Sequence, residues 1–577
     1  PIVAGISCDL PGSCDIQNLW NLLKDGKCAY QALGPDRWKD DKKLASSNMI
    51  KGKSSTNVCG YIEDMDRFDE SAFQISRSEA NEMDPQQRLA LRTVLSALRE
   101  ARVPVKYLAG SDTGVYVGAG IAEHMAFAFG SQETMTKHTM SGNCLSVIAN
   151  RISYFLALRG PSMCVDTACS SSLTALSLAV DSLRSGRSKM AIVVGVNTLL
   201  SSSPFVGFSQ AGMLSPTGTS RPFGKGADGF VRAEGCGVVI LAHPDHIPVW
   251  CSPWASVLAV KCNEDGRTLS LTMPSGESQE RLINETMKEA NVEPDDVTYF
   301  EAHGTGTPTG DPIEAGAISR AIASKRKVPL VVGSIKSNIG HMETGSGIAS
   351  FIKACLITRH RQLFPMANFV EWNPVIDSQK LFLDIPSSMV ELAPDKRVVV
   401  AINNYGFGGS NACVFLSSDL PSRGTESNIH SVPISMKSSH FREGLERMGE
   451  DVEMQSVVAG NAVFRHGKVG TSMFQADEGK ERSARKIVFA FPGQGASYER
   501  MASDLCLTLP GFREKLQKVA IMLSSIGGVD LLKHGMGSKV GMNPESLKDP
   551  CIVSSSTVVF QIAMVEYLEA LGVTPDI

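Results

Sequence analysis

The sequence lacks the marks of several protein classes. Its 577 residues hold no run of about 18 apolar residues and no basic opening followed by an apolar core, so neither a membrane span nor a secretory leader is expected. Charge of one sign is not in excess. A formal net charge of −4 supplies no electrostatic reason to bind nucleic acid or an anionic membrane. The 14 cysteines show no repeated spacing, which leaves no disulfide framework to read. Stretches such as "KACLI" and "NACVF" place thiols where a small buried side chain is the usual occupant. A reducing, cytoplasmic setting is therefore expected, with the Asn284-Glu285-Thr286 sequon unused. No G-x-S-x-G elbow occurs, and the first residue is Pro1 rather than Met, so the natural start is expected upstream.

What is present is an alternation of apolar strands and amphipathic helices. "IVAGIS", "GVYVGAG", "MAIVVGV", "CGVVILA", "VTYFEAH", "LVVGSIK" and "RVVVAIN" read as buried strands, and "PQQRLALRTVLSALREA" and "SGIASFIKACLIT" as helices. This pattern predicts α/β layers with helices on both faces of the sheets. Near residue 417 the character changes to the polar, Ser-rich "SSDLPSRGTESNIHS", and from Lys486 a new strand, "KIVFAFPGQGASYERM", opens a further unit. Length alone, at roughly 100–200 residues per domain, suggests about three domains.

Four constellations stand at strand ends. In "VDTACSSSLTALSLAV", Cys169 lies between a strand and a helix whose Leu173, Leu176, Val180 and Leu183 recur at helical spacing. A helix N-terminus stabilises a thiolate, so a thiol pKa below about 8.5 is expected there. Ser170, Ser171 and Ser172 would let the helix start be solvated and packed without bulk. On these grounds an inert buried thiol and a nucleophile both stay open. In "EAHGTGTPTGDPIEAG", His303 enters a loop of Gly304, Gly306 and Gly310, where missing Cβ atoms allow the backbone to approach a substrate. Asp311 is placed as a cap with Pro312 at the first helical position. The G-x-G-x-x-x-G spacing misses the dinucleotide fingerprint, and a metal site from His303, Asp311 and Glu314 lacks a second His at ligand spacing. "GSIKSNIGHMETGSGIASF" offers Lys336 and His341 before a helix whose Gly345 and Gly347 permit tight packing, and "NNYGFGGSNACVFL" is a glycine-rich turn with Phe407 at its tip. One cysteine, two histidines and a lysine match the parts needed for covalent thioester catalysis with donors for an enolate oxygen.

These segments, with "MDPQQRLAL", "ANRISYFLALRGPSMCVDTACSSSL" and "MLSPTGTSRPFGKGADGFVRAEGCGVVIL", resemble the ketosynthase of type I polyketide synthases and animal-type fatty acid synthases, a thiolase-fold condensing enzyme. The resemblance spans residues 1 to 416 and implies a thiolase-like layered αβαβα fold. It implies that Cys169 accepts a growing acyl chain from an acyl carrier protein, whose phosphopantetheine carries the substrates. His303 and His341 would assist decarboxylation of a malonyl-type extender and hold the enolate oxygen. Lys336 would hold the histidine loop and tune its electrostatics. Backbone N–H groups of Cys169 and Phe407 would form an oxyanion hole, with Phe407 gating. No metal or redox cofactor is implied, and a homodimer through the ketosynthase is.

"FAFPGQGASYERM" resembles the opening of a malonyl-type acyltransferase, which makes residues 417 to 486 a small α/β linker domain and 487 to 577 an incomplete α/β acyltransferase. Gln494 would line its site, but the catalytic serine is missing, so no malonyl loading is expected from this chain. One departure is "CDLPG", where Asp9 replaces the Arg of the family; it is expected to alter local packing or a carrier-facing surface and to leave the active site alone. The competing readings are a catalytically silent structural partner, an acyltransferase and a degradative thiolase. The intact Cys169, His303 and His341, the missing serine elbow and the attached acyltransferase start argue against them in turn.

Overall fold

Period-two alternation decides where each strand sends its side chains. In a computed structural model, which describes residues 1–34, 37, 50–248, 251–420, 516–521, 531 and 559, eleven strands share one sheet. They are β1 Ile2–Asp9, β2 Gly114–Gly118, β3 Ser162–Val165, β4 Met190–Asn197, β5 Gly235–Ala242, β6 Ala255–Glu264, β7 Val297–Glu301, β8 Leu330–Gly333, β9 Leu383–Asp384, β10 Val399–Tyr405 and β11 Ser410–Ser417. Their order is β9-β8-β7-β10-β11-β6-β1-β5-β4-β2-β3.

The sheet is two similar halves joined edge to edge. β1 and β6 meet only through Ile2↔Ser256 and Val3↔Ala255. On one side of this join β5 pairs antiparallel with β1 and β4, and β4, β2 and β3 run parallel. On the other, β11 pairs antiparallel with β6 and β10, and β10, β7 and β8 run parallel. Parallel strands need crossover helices, and those helices build the layers.

Six helices matter for the site: α1 Pro85–Glu100, α2 Leu145–Phe155, α3 Ser171–Arg184, α4 Gly276–Ala290, α5 Gly310–Ala321 and α6 Ser346–His360. Val193, Val239 and Leu241 from one half, and Val400, Ile402, Val414 and Leu416 from the other, pack on Leu173 and Leu176 of α3 and Ile348, Ile352 and Leu356 of α6. Their strand neighbours face away. Ile192, Val194, Val238 and Ile240 meet Leu89 and Val94 of α1 and Ile148 and Ile152 of α2. Val399, Ala401 and Phe415 meet Leu282 of α4 and Ile318 of α5. The result is the αβαβα layering expected from the sequence, with α3 and α6 in the middle layer. α6 is buried from Ser346 to Thr358, and its apolar residues on both faces are the reason it can be. Burying each large aliphatic side chain there stabilises the fold by roughly 1.5–3 kcal/mol.

The chain divides into two units, Pro1–Arg423 and Gly424–Ile577. In the second, residues 516–521 are helical. Nearly all of the expected linker, the acyltransferase opening and Gln494 lie outside the described residues. Asp9, at the end of β1, pairs with Arg92 of α1, whose guanidinium also donates to the carbonyls of Asp64 and Arg67 at 2.9 and 3.2 Å.

Candidate active site

Both central helices begin at the same place. β3 ends at Val165, and Ala168 then takes a left-handed φ of +53 before Cys169 and α3. An L residue adopts that conformation at a cost of roughly 1–2 kcal/mol, and here it makes the turn that presents the thiol. From the other half, β8 leads through the short helix Lys336–Ile339 into His341 and α6. Cys169 Sγ lies 3.1 Å from His341 Nε2.

The second histidine arrives from β7. His303 and His341 stand 5.5 Å apart between ring centroids at 87°. Each has its Nδ1 capped by a backbone N–H: Tyr405 donates to His303 at 3.3 Å and Glu343 to His341 at 3.2 Å. A neutral imidazole whose Nδ1 accepts must carry its proton on Nε2. Desolvation first, then Lys336, holds both rings well below the ordinary imidazole range; Asn404 alone pulls His303 the other way. The site therefore holds two neutral Nε2–H donors.

The fourth constellation closes the other side. Phe407 sits in the turn between β10 and β11 and is 46% exposed. The backbone N–H groups of Phe407 and Cys169 both favour the ionised form of the thiol. Ser346, at the start of α6, places its hydroxyl 3.3 Å from the Cys169 carbonyl and 2.6 Å from Asn404 Oδ1.

Lys336 is fully buried. Desolvation lowers its ammonium to about 8 against the opposing pull of Glu301, Glu314, Cys169 and Asp311. Glu301 is held in turn by Ile335 N–H at 2.6 Å and by Lys353 at 2.7 Å, so it is a fixed countercharge at the foot of the His341 loop.

Several expectations need correction. The Cys169 thiol is not lowered at rest. Burial pushes it up to about 12, with Glu343 adding to the rise, while Lys336 and the two backbone N–H groups work against it. Being only 9% exposed outweighs the helix start. The serine run is not solvated either: Ser170, Ser171 and Ser172 are all buried, and their small size is what the position requires. Asp311 does not cap α5, whose N-cap is Thr309. Its carboxylate accepts from Phe223 N–H at 2.6 Å and Gly306 N–H at 3.1 Å. Glu314 accepts from His303 N–H and Gly304 N–H, both at 2.7 Å. These carboxylates shape the His303 loop through backbone bonds, and among the described residues no His/Cys/Asp/Glu cluster is placed to hold a metal ion. Gly306, at φ +79, approaches protein rather than substrate: a Cβ there would lie 3.0 Å from Arg221 N and 3.1 Å from Gly229 O.

Residues 2–246 match the family described as Beta-ketoacyl synthase, N-terminal domain, and residues 254–370 match its C-terminal domain. The chain belongs to the β-ketoacyl synthase family. A partially reducing polyketide synthase of Talaromyces stipitatus is 33% identical over 99% of this chain and 25% of its own length. One chain of the phenolphthiocerol/phthiocerol polyketide synthase of Mycobacterium tuberculosis is 33% identical over 100% of this chain and 32% of its own length. The protein thus spans about a quarter to a third of these curated relatives. Among solved structures, the ketosynthase from module 6 of the bacillaene synthase of Bacillus subtilis is 32% identical, covering 73% of this chain and 72% of that one, with a TM-score of 0.67. The oxazolomycin ketosynthase domain of Streptomyces albus gives 32%, 73%, 75% and 0.69. This ketosynthase is a condensing transferase of the polyketide synthase type, a class that extends chains by decarboxylative Claisen condensation.

Sequence reasoning missed Glu301, Glu343, Arg232, Asn404 and Ser346. A signal existed for two of them: Arg232 in "GFVRAEGCG" and Glu343 in "GHMETGSG" are charges inside runs of small and apolar residues.

Proposed function

We propose that this ketosynthase carries an acyl chain on Cys169, delivered by an acyl carrier protein through its phosphopantetheine thioester, and joins it to a malonyl-type extender. The supporting observation is the pair of Nε2–H donors, with Cys169 Sγ 3.1 Å from one of them. In the first half-reaction the Sγ–acyl bond forms, the carrier thioester bond breaks, and the thiol proton ends on the released carrier thiol. The neutral resting thiol ionises only as the carbonyl arrives, helped by His341 Nε2–H and the backbone donors at Cys169 and Phe407. In the second, the bond between the extender's α-carbon and its carboxylate breaks and CO2 leaves. The electron pair moves onto the thioester oxygen, where His303 and His341 stabilise it. The enolate carbon then attacks the acyl carbonyl, whose oxyanion faces the Cys169 and Phe407 N–H groups, and collapse releases the Cys169 thiolate, which regains a proton from solvent.

Lys336 supplies fixed positive potential at the histidine loop, and Phe407 controls access. Residues 417–486 serve as a linker and 487–577 as the opening of an acyltransferase; relatives that match 99–100% of the chain support that order. A homodimer forms along β3. This strand ends the sheet, with Met163 exposed on it and Tyr154 nearby 88% exposed. The free cysteines fit a reducing compartment such as the cytoplasm. No helix among the described residues is long and apolar enough to cross a membrane.

The test is condensation itself. The chain is incubated with an acyl-pantetheine thioester and malonyl carrier protein, and β-ketoacyl carrier protein is sought by mass spectrometry. Its formation at multiple turnovers supports the reading; acyl loading with neither CO2 release nor product would contradict it.

A further inference from the structure

The largest fully buried side chain among the described residues is a cation that the condensation steps do not use. Arg232 is 1% exposed. Burying an unpaired guanidinium would cost several kcal/mol, so its partners are informative. Its Nε and Nη2 grip both oxygens of Glu343, the second at 3.0 Å, and Glu123 stands 3.6 Å from Nη2. Its guanidinium lies over the rings of Phe205 and Phe208 at 4.5 and 5.3 Å. Glu123 also accepts from the N–H groups of Leu200 and Ser201 at 3.0 and 2.6 Å.

This cluster ends at His341. His341 N–H donates to Val231 C=O at 2.7 Å and Ala233 N–H to His341 C=O at 2.8 Å, so Arg232 and His341 face each other across a β-bridge. Glu343 is left-handed, with φ +48, and in that conformation its N–H reaches His341 Nδ1. A non-glycine residue stays there only if something holds it. The two-oxygen grip of Arg232 is that hold.

We propose that Arg232, Glu343 and Glu123 form a positioning device for His341: the ion cluster keeps Glu343 left-handed, its N–H caps Nδ1, and the proton stays on Nε2. None of the three touches the reacting atoms. Without the grip Glu343 relaxes to a negative φ; because α6 is held by its burial downstream, the Met342–Glu343 peptide plane must turn to compensate, its N–H leaves Nδ1, and the ring samples the tautomer that shows a lone pair to Cys169. This inference rests on the proposed role of His341 as an Nε2–H donor.

Glycine separates this role from simple charge balance, because it takes a left-handed φ without strain. In the full chain, Glu343→Ala is expected to lower decarboxylation of malonyl-pantetheine by about 10- to 100-fold. Glu343→Gly should restore it to within about fivefold of wild type. Over a His341→Ala background, Glu343→Ala should change the rate by less than about twofold, since it acts through that ring. Nitrogen-15 spectra of labelled histidine should show His341 gaining a protonated Nδ1 in Glu343→Ala. If Glu343→Ala does not fold, Arg232→Lys keeps the charge, loses the fork, and should shift the same spectrum. A loss that glycine does not restore, a loss that persists over His341→Ala, or an unchanged imidazole spectrum would each overturn the proposal. The spectrum needs no substrate, so failure of the condensation reading would show separately.

Discussion

Replacing Gly347 with alanine presses directly on the contact that sets the active-site geometry. Gly347 is in the first turn of α6, and an added Cβ would sit 2.6 Å from Leu173 Cγ and 2.9 Å from Ser172 Oγ, both on α3. Carbon atoms pack at about 3.5–4.0 Å, so the two helices must part by about 1 Å. Overpacking of this kind costs about 1–3 kcal/mol, and the better helix propensity of alanine returns about 1 kcal/mol. Leu173 is fully buried and cannot swing aside, which puts the net loss at about 1–2 kcal/mol. The same displacement moves the start of α3 relative to α6 and opens the 3.1 Å contact between Cys169 and His341. A shift of about 1 Å can cost about 100-fold in rate, so acyl loading should fall 10- to 100-fold. Gly207→Ala is the control: it lies in the helix Ser203–Gln210 with nothing within 4 Å of its added Cβ. It should stabilise by about 0.4–1 kcal/mol. Urea titration reads stability, and mass spectrometry of the Cys169 peptide reads loading. A Gly347→Ala protein as stable as wild type with unchanged loading would refute the packing argument.

Two more outcomes are expected. With Lys336 lowered to about 8, its charge is present below that pH and lost above it, so decarboxylation of a malonyl thioester should decline as pH rises through about 8. Lys336→Arg should remove this alkaline limb, and because both histidines are held well below the usual range, no acid limb should appear near pH 6.5; a rate that rises through pH 8 would count against the assignment. Asp9→Ala removes the partner of Arg92, and should cost about 1 kcal/mol in urea stability with acyl loading unchanged; an equal stability would mean the pair contributes nothing.

The layers were legible because their cause is local. Alternation in "MAIVVGV" and "RVVVAIN" sends neighbouring side chains to opposite clusters, and one strand shows this without its partners. Cys169, His303, Lys336 and Phe407 could be singled out because each ends a strand. What escaped reading depends on neighbours brought from elsewhere in the chain. The thiol's raised pKa follows from burial between α3 and α6, which no stretch around Cys169 reveals. Asp311 looked like a cap because its local sequence has that form, yet its partner is Phe223, far away along the chain. The grip of Arg232 on Glu343 joins two segments that had each been read for other residues.

The central claim is that one thiol carries the chain while the histidines act later, and the most direct test is to map the acyl group. The protein is exposed to an acyl-pantetheine thioester, digested, and the adduct located by mass spectrometry in wild type, Cys169→Ala and His303→Ala. The account predicts an adduct on Cys169 in wild type and in His303→Ala, none in Cys169→Ala, and malonyl decarboxylation lowered by about 10²–10³ in His303→Ala. Acylation of Cys169→Ala at the wild-type rate would contradict it.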